Sequence, residues 1–465
     1  LIWINARGLW LRHLGGMDPS LIRLFEAARL PRYTSYPTAV QFTPSVGPAQ
    51  HAEWLARIPA GSRVSLYLHV PYCHEICWYC ACSTHALGRP ERASAYADLL
   101  LTEFELLAAR LPPDLAVAHL HWGGGTPSVL GKDLIRVMNR VRERLRFASD
   151  VEIAMEIDPR VFEPGMAAPL ADAGLSRASL GVQSFDPAVQ KAINRHQSFE
   201  QTGASVEALR GAGVRGINID LIYGLPNQTM ANAADTARLA ASLHPNRLSV
   251  FGYAHLPAQR PHQRLIDEAG LPGVVQRLHQ FLSISHTLED HGYVPVGLDH
   301  FALPDDAMAE AARTGSLRRN FQGYTTDAAD TLIGLGCSSI SAFSEGYAQN
   351  AADLAVWRRE VGAGRLPVVR GVALSAEDRA RRAAIEAVMC RGRVAPKAIA
   401  SRLGVPLDLV EPDRQRVDDL VALGVVERHD SELAVAPGHQ PLMRLLAAAF
   451  DRYLAPGAAR HAPAV

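Results

Sequence analysis

Between residues 64 and 253 short apolar runs and helical stretches alternate at a spacing that few folds accept. Strands are expected over 64–70, 116–122, 151–157, 176–182, 216–222 and 248–253, with helices over 92–109, 134–145, 163–173, 200–212 and 230–243. A strand, a helix and a second strand in that order leave room for a parallel crossover connection. Six such units imply an α/β fold, an incomplete (β/α)6 barrel rather than an eightfold one, and an open barrel accommodates a large substrate. From about Leu271 the rhythm changes. A helix over 274–289, a short run over 293–298 and the stretch 320–326 are expected to extend or close the barrel. From about Ala376 the chain reads as mostly helical, with helices over 394–403 and 412–423 and a hairpin over 424–435.

The loop after the first of these strands carries the chemistry. It reads Cys73-His74-Glu75-Ile76-Cys77-Trp78-Tyr79-Cys80-Ala81-Cys82 and holds four of the chain's six cysteines. Thiolates spaced CxxxCxxC on one short loop can hold three irons of a [4Fe-4S] cubane, leaving the fourth open for a substrate or cofactor, whereas an electron-carrying cubane normally has all four ligated by protein. Spacing alone leaves two other readings. A structural zinc site pairs C-x2-4-C with a second, distant pair; the crowding of Cys80 and Cys82 counts against it, although His69 or His74 is available as a ligand. The cysteines can also be unligated core or redox groups. A disulfide framework suits a short secreted chain, and 465 residues do not make one. Cys337 and Cys390 stand alone and read as buried small hydrophobes.

Lys+Arg and Asp+Glu both number 47, so the formal charge is zero, and this balance argues against duplex nucleic acid as the main partner. Two helices and a hairpin near the C-terminus resemble a winged helix, but the stretch 407–423 carries Asp408, Glu411, Asp413, Asp418 and Asp419 against Arg414 and Arg416, so a basic recognition helix is missing. No apolar run is long enough to span a membrane. A cytoplasmic location is expected, where reducing conditions keep clustered thiols available to iron. The first sixteen residues contain no small-residue cleavage site; they read as an upstream extension before a native start at Met17. The division expected is an extension over 1–16, a substrate-covering segment over 17–60, the barrel and its extension over 61–370, and a mostly helical, winged-helix-like domain over 371–465.

Residues at the ends of the other strands add to the site. Gly123, Gly124 and Gly125 follow the second strand, where backbone groups of consecutive glycines can approach a ligand closely. A tight turn explains the same run, but its place one unit after the cysteine loop favours a ledge for the amino group of a coordinated amino acid. Glu156 and Asp158 end the third strand, Gln183 ends the fourth and Asp220 lies in the fifth, where carboxylates can accept hydrogen bonds from ribose hydroxyls. Arg195 can make a fork-shaped contact with a carboxylate. Each taken singly also reads as a cap or a salt-bridge residue; their common edge is what argues for a site.

With these residues in place, the chain resembles the radical S-adenosylmethionine (SAM) enzymes of the oxygen-independent coproporphyrinogen III oxidase (HemN) family. The resemblance is carried by PRYTSYPTA at 31–39, SLYLHVPYCHEICWYCAC at 65–82, HWGGGTP at 121–127, EIDPR at 156–160, SLGVQSFD at 179–186, NIDLIYGLP at 218–226, LSVFGYAHLP at 248–257 and NFQGYTT at 320–326. It implies a radical SAM barrel in which Cys73, Cys77 and Cys80 ligate one [4Fe-4S] cluster while Cys82 is needed without ligating. It assigns Tyr67, Gly123, Glu156 and Ile340 to the SAM that chelates the cluster. Tyr79, Gly124, Gly125, Gln183, Arg195, Asp220 and Ala254 go to a second SAM. At Tyr79 the family usually has phenylalanine, so the added hydroxyl must find a partner. Cys82, Tyr67 and Arg32 are expected to serve catalysis and substrate capture. The implied reaction converts the ring A and B propionates of coproporphyrinogen III to the vinyls of protoporphyrinogen IX, consuming two SAM. The implied partners are a low-potential electron donor such as flavodoxin or ferredoxin, with no nucleic acid, and the protein is expected to act as a monomer. Related haem chaperones typically lack the cysteine two positions after the third ligand and the PRYTSYP segment; both are present here.

Overall fold

The computed structural model describes residues 29–454. The expected extension over 1–16 lies outside them, as does the helix expected from Met17 apart from Arg29 and Leu30. An opening helix α1 (Pro48–Ala56) begins at Pro48, whose fixed φ suits a first helical position. The six expected strand–helix units follow as β1 (Arg63–Val70), α2 (Glu91–Ala108), β2 (Ala116–Gly124), α3 (Lys132–Arg144), β3 (Arg146–Ile157), α4 (Ala167–Asp172), β4 (Arg177–Gln183), α5 (Pro187–Ala192), α6 (Phe199–Gly211), β5 (Gly216–Tyr223), α7 (Met230–Ser242), β6 (Arg247–Gly252) and α8 (Val274–Asp290). Neighbours from β1 to β6 all pair in parallel. All of β1 except Arg63 and Tyr67 is buried, as a parallel strand covered on both faces requires.

The register brings the candidate residues to one end of the sheet. Tyr67 pairs with His121 and His69 with Gly123, while Glu156 pairs with Ser179 and Asp220 with Gly181 and Ser249. The helices between the strands carry their own start signals: Ser198 with Gln201 and Thr229 with Asn232 make capping boxes on α6 and α7. Two details differ from the sequence reading. The helix expected over 163–173 divides into a 3-10 turn, Pro164–Met166, and the short α4. The unexpected α5 is held by Asp186, whose side chain accepts from the Val189 N–H at 2.9 Å, and its six residues are too few to give a periodic pattern.

Beyond α8 the sheet grows at both edges. On one side β7 (Val294–Val296) and β8 (His300–Ala302) add antiparallel strands next to β6. After α9 (Ala307–Thr314) and the hairpin β9 (Arg318–Asn320) and β10 (Gly323–Thr325), β11 (Thr331–Leu335) returns to pair in parallel with β1 on the other side. The antiparallel strands β12 (Ile340–Ala342), β13 (Gly346–Asn350) and, after α10 (Leu354–Gly362), β14 (Val368–Ala373) complete a twelve-stranded sheet in the order β14-β13-β12-β11-β1-β2-β3-β4-β5-β6-β8-β7. The expected boundary at residue 370 falls inside β14.

The remainder comprises α11 (Ala376–Arg391), β15 (Arg393–Val394), α12 (Pro396–Leu403), α13 (Arg414–Ala422), the hairpin β16 (Val426–His429) and β17 (Glu432–Val435), and α14 (Met443–Ala448). Two helices beside a hairpin are present as read from the sequence, with β15 as a third strand. These helices share one apolar core with the second half of the barrel, including Ala380, Ala384 and Phe450 with Ile219 and Leu248, and with Tyr33 and Tyr36. Among the described residues no helix is long and apolar enough to cross a membrane.

Candidate active site

The cysteine loop lies at the mouth of the barrel, on the wall of a cavity of about 420 Å³. Cys73, Cys77, Cys80 and Cys82 all line it. The loop is fixed from several sides. The Trp78 N–H donates to Ile193 O at 3.0 Å, the Leu87 N–H donates to Cys73 O at 2.8 Å, and His262 Nε2 lies 2.7 Å from Cys80 O. Four polar side chains face the thiols themselves: Thr126 Oγ1 donates to Cys73 Sγ at 3.5 Å, Arg160 Nη2 and Arg195 Nη1 approach Cys77 Sγ at 3.4 and 3.5 Å, and Thr84 Oγ1 lies 4.0 Å from Cys80 Sγ. Burial pushes the Cys73 thiol up to about 11. A hydrogen bond from Cys82 brings Cys80 down and pushes Cys82 itself up. Among the described residues no three His, Cys, Asp or Glu side chains converge as ligands of a single ion. A cubane takes its thiolates at separate irons, so three sulfurs around one cavity, each facing an N–H or O–H group, suit a cluster better than a mononuclear zinc site.

Next to the loop, β2 ends in the glycine run, and the space at each glycine is taken. A Cβ at Gly123 would stand 2.7 Å from Glu156 Oε1 and 2.9 Å from the Tyr67 ring. One at Gly125 would stand 2.5 Å from Tyr72 O, and Gly124 has φ +112°. These positions therefore need glycine for close approach and backbone shape. Glu156 accepts from the Gly124 N–H at 3.0 Å, and His121 Nε2 lies 3.3 Å from its other oxygen. Burial raises the Glu156 carboxyl, but the His121 contact and the Gly124 bond outweigh it and hold the group below its usual range. Tyr67 stacks on His121 with centroids 5.8 Å apart, and its hydroxyl lies 3.1 Å from His69 Nδ1.

Opposite the ledge, Arg195 is only 5% exposed. Its Nη2 donates to Asp158 Oδ1 at 3.1 Å and to Gly181 O at 2.5 Å, while Arg160 donates to both Asp158 oxygens. Burial alone would raise Asp158; the two guanidinium groups hold it ionised below the usual range. Gln183 sits at φ +69° beside a break in the β4–β5 register, which turns its side chain toward Gly181. Asp220 accepts from Ser179 Oγ and Asn218 Nδ2, each at 2.8 Å. Burial still leaves its carboxyl raised.

Of the expected residues, Arg32, Tyr79, Gly124, Gly125, Glu156, Gln183, Arg195, Asp220 and Ala254 line the same cavity as the four cysteines. Tyr67 and Gly123 do not, and pack behind Glu156 and His121. Ile340 is not brought to that wall either: its side chain packs against the Phe42, Tyr347 and Leu374 cluster, and its backbone lies against Gly334. Tyr79 packs beside Val189, Ile193 and Tyr253, and among the described residues its hydroxyl has no hydrogen-bond partner. Gln263, fully buried, donates to Tyr79 O and Ala254 O and ties the loop to the end of β6. Arg32 donates to Gly252 O at 2.7 Å, and the neighbouring Tyr33 donates to Asp451 at 3.1 Å, so the PRYTSYP segment bridges barrel mouth and C-terminal helices. Sequence reasoning gave no role to Arg160, Thr126 or Gln263. EIDPR and HWGGGTP contain the first two, and only the position of Cys77 and Cys73 in space brings out their contacts.

Residues 67–240 match the model of the Radical SAM superfamily. Similar over nearly the whole length are the oxygen-independent coproporphyrinogen III oxidases of Bradyrhizobium diazoefficiens, 46% identical across 94% of this chain and 97% of the relative, and of Paracoccus denitrificans, 42% identical across 92% and 95%. Among solved structures, the radical SAM coproporphyrinogen III oxidase HemN of Escherichia coli superposes with a TM-score of 0.87 at 38% identity, covering 94% of this chain and 99% of that one. Fold, loop and full-length similarity agree, and the chain belongs to the oxygen-independent coproporphyrinogen III oxidase family of radical SAM enzymes.

Proposed function

We propose that this protein oxidatively decarboxylates coproporphyrinogen III to protoporphyrinogen IX, converting the ring A and B propionates to vinyl groups. The observation that carries the proposal is the single cavity wall shared by Cys73, Cys77, Cys80 and Cys82, the Gly124–Gly125 ledge and the half-buried carboxylates Glu156, Asp158 and Asp220, in a chain similar to such oxidases over nearly its whole length. Cys73, Cys77 and Cys80 are the residues to hold one [4Fe-4S] cluster. When bound, the cluster and SAM would supply a reducing electron and a hydrogen-abstracting 5′-deoxyadenosyl radical, and a separate one-electron acceptor would take the electron released as carbon dioxide leaves.

The chain's own residues bind and orient. Glu156, fixed by the Gly124 N–H and His121, is a preorganised acceptor for one SAM; Tyr67 and Gly123 back it from behind, and Ile340 is assigned to the same molecule by the family resemblance alone. Gly124, Gly125, Tyr79, Gln183, Arg195, Asp220 and Ala254 serve a second. Asp158 and Arg160 hold Arg195 in place, and buried, prealigned donors lower the cost of orientation. Cys82 stands free of the ligand set to serve the reaction, and Arg32 meets the substrate at the mouth. A low-potential donor such as flavodoxin or ferredoxin feeds a monomer in a reducing, cytoplasmic setting. The haem-chaperone alternative loses ground to Cys82, the PRYTSYP segment and relatives that carry the oxidase name. Anaerobic incubation of the reconstituted protein with coproporphyrinogen III, SAM and a reductant is expected to yield protoporphyrinogen IX by chromatography. No SAM-dependent product would refute the proposal.

A further inference from the structure

We propose that arginines gathered at the seam between the barrel mouth and the C-terminal helices form a carboxylate site for propionates of the substrate. The inference rests on the oxidase reading above. Four distant stretches contribute. Arg32 reaches Gly252 O at the end of β6, and Arg277 of α8 donates to the adjacent Tyr253 O at 2.7 Å with its guanidinium 5.7 Å from the Tyr223 ring centroid. Arg319 of β9 lies 4.3 Å from the Tyr324 ring centroid and donates to Arg32 O at 3.3 Å. Arg444 of α14 is within electrostatic reach of Arg32, Arg319 and Tyr223. Asp299 offsets part of this charge, 4.0 Å from Arg319 Nη1, but is itself bound to His300 at 2.7 Å.

Burial makes the group informative. Arg277 and Arg444 are each 8% exposed and the Arg319 side chain 4%. The Nε atoms of Arg277 and Arg319 are buried without a hydrogen-bond partner among the described residues. A buried donor left unsatisfied is costly, and a desolvated guanidinium is suited to a fork-shaped bond with a carboxylate. The seam is reached from the site: Arg32, His300 and Tyr324 line the main cavity, while Arg319 lines an adjoining one of about 90 Å³ that shares Thr325, Asp327 and Leu332 with it. A tetrapyrrole in the main cavity can therefore extend carboxylates toward Arg32 and Arg319, while Arg277 and Arg444 line neither cavity and add positive charge around them.

The test uses reconstituted holoprotein under anaerobic conditions, with affinities for coproporphyrinogen III and its tetramethyl ester measured for wild type, Arg319→Gln and Arg32→Gln. Each glutamine variant should bind the tetra-acid about ten- to a hundredfold more weakly. KM should rise with it, while ester affinity, cluster content and the KM for SAM stay unchanged. Arg319→Lys should recover part of the loss, since it keeps the charge and loses the fork; if a glutamine variant fails to fold, the lysine variant reads the same difference. Unchanged tetra-acid affinity in folded variants of an active enzyme would overturn the site. A wild type that turns over no porphyrinogen would overturn the oxidase reading instead.

Discussion

Cys77 and Cys82 stand on the same ten-residue loop in different surroundings. Two guanidinium groups face Cys77, whereas Cys82 meets Cys80 and is exposed at the cavity. Replacing Cys73, Cys77 or Cys80 by serine should abolish cluster assembly, because the cubane then has too few thiolates. Cys82→Ser should assemble the cluster and lose product. Iron content and electron paramagnetic resonance of the four proteins distinguish these outcomes, and equal cluster loss in the Cys82 variant would contradict the assignment. The cysteine loop was legible in the sequence as a cluster of thiols on one short turn, but spacing alone left zinc and unligated thiols open beside the cubane. Arg195 was legible only in part. Its carboxylate-binding fork already grips Asp158, which no spacing argument exposes since 37 residues separate the two.

Among the elements, the strand–helix alternation of β1 to β6 was readable because buried parallel strands are continuous apolar runs. The strands β12 to β14 were not: they are short, antiparallel and rich in small or polar residues such as Ser341, Gly346 and Asn350. Their attachment depends on Glu103 of α2, a buried carboxylate that accepts from the Gly336 N–H, Asn350 Nδ2 and Trp357 Nε1. In sequence it looks like any polar position of an amphipathic helix. Helix α1 carries a second hidden group, His51, whose ring packs edge-on to Phe343 and whose two nitrogens are buried without hydrogen-bond partners. Burial lowers its pKa from the usual 6.5 to about 4. The unfolded chain therefore takes up the proton first as pH falls, so the stability from a neutral His51 is complete above pH 6.5 and is lost from there down to about 4. The full loss is about 3 kcal/mol. Burial moves Glu103 the other way, up to about 7, which makes stability fall as pH rises through that range and masks the histidine in the wild-type profile. The difference between wild type and His51→Leu isolates it: denaturant melts should show the variant gaining on wild type as pH drops from 6.5 to 4.5, and a pH-independent difference would contradict a buried neutral ring.

At the scale of the whole molecule, the chain is joined across its length by the segment 31–37. Tyr33 reaches Asp451, the Tyr36 hydroxyl accepts from the Arg452 N–H at 3.1 Å, and Arg32 lies over the barrel mouth. Pro31 and Pro37 frame this segment, but which partners it meets depends on residues more than 400 positions away. Deleting the chain through Pro37 should abolish turnover while sparing most of the cluster, since its thiolates and their contacts lie elsewhere; full activity after that deletion would exclude a substrate-covering role. The account as a whole is tested most directly by counting products in one anaerobic reaction: carbon dioxide, 5′-deoxyadenosine and protoporphyrinogen IX from coproporphyrinogen III and SAM. It predicts one deoxyadenosine for each carbon dioxide and two of each for every protoporphyrinogen IX; tight haem binding with no carbon dioxide released would contradict it.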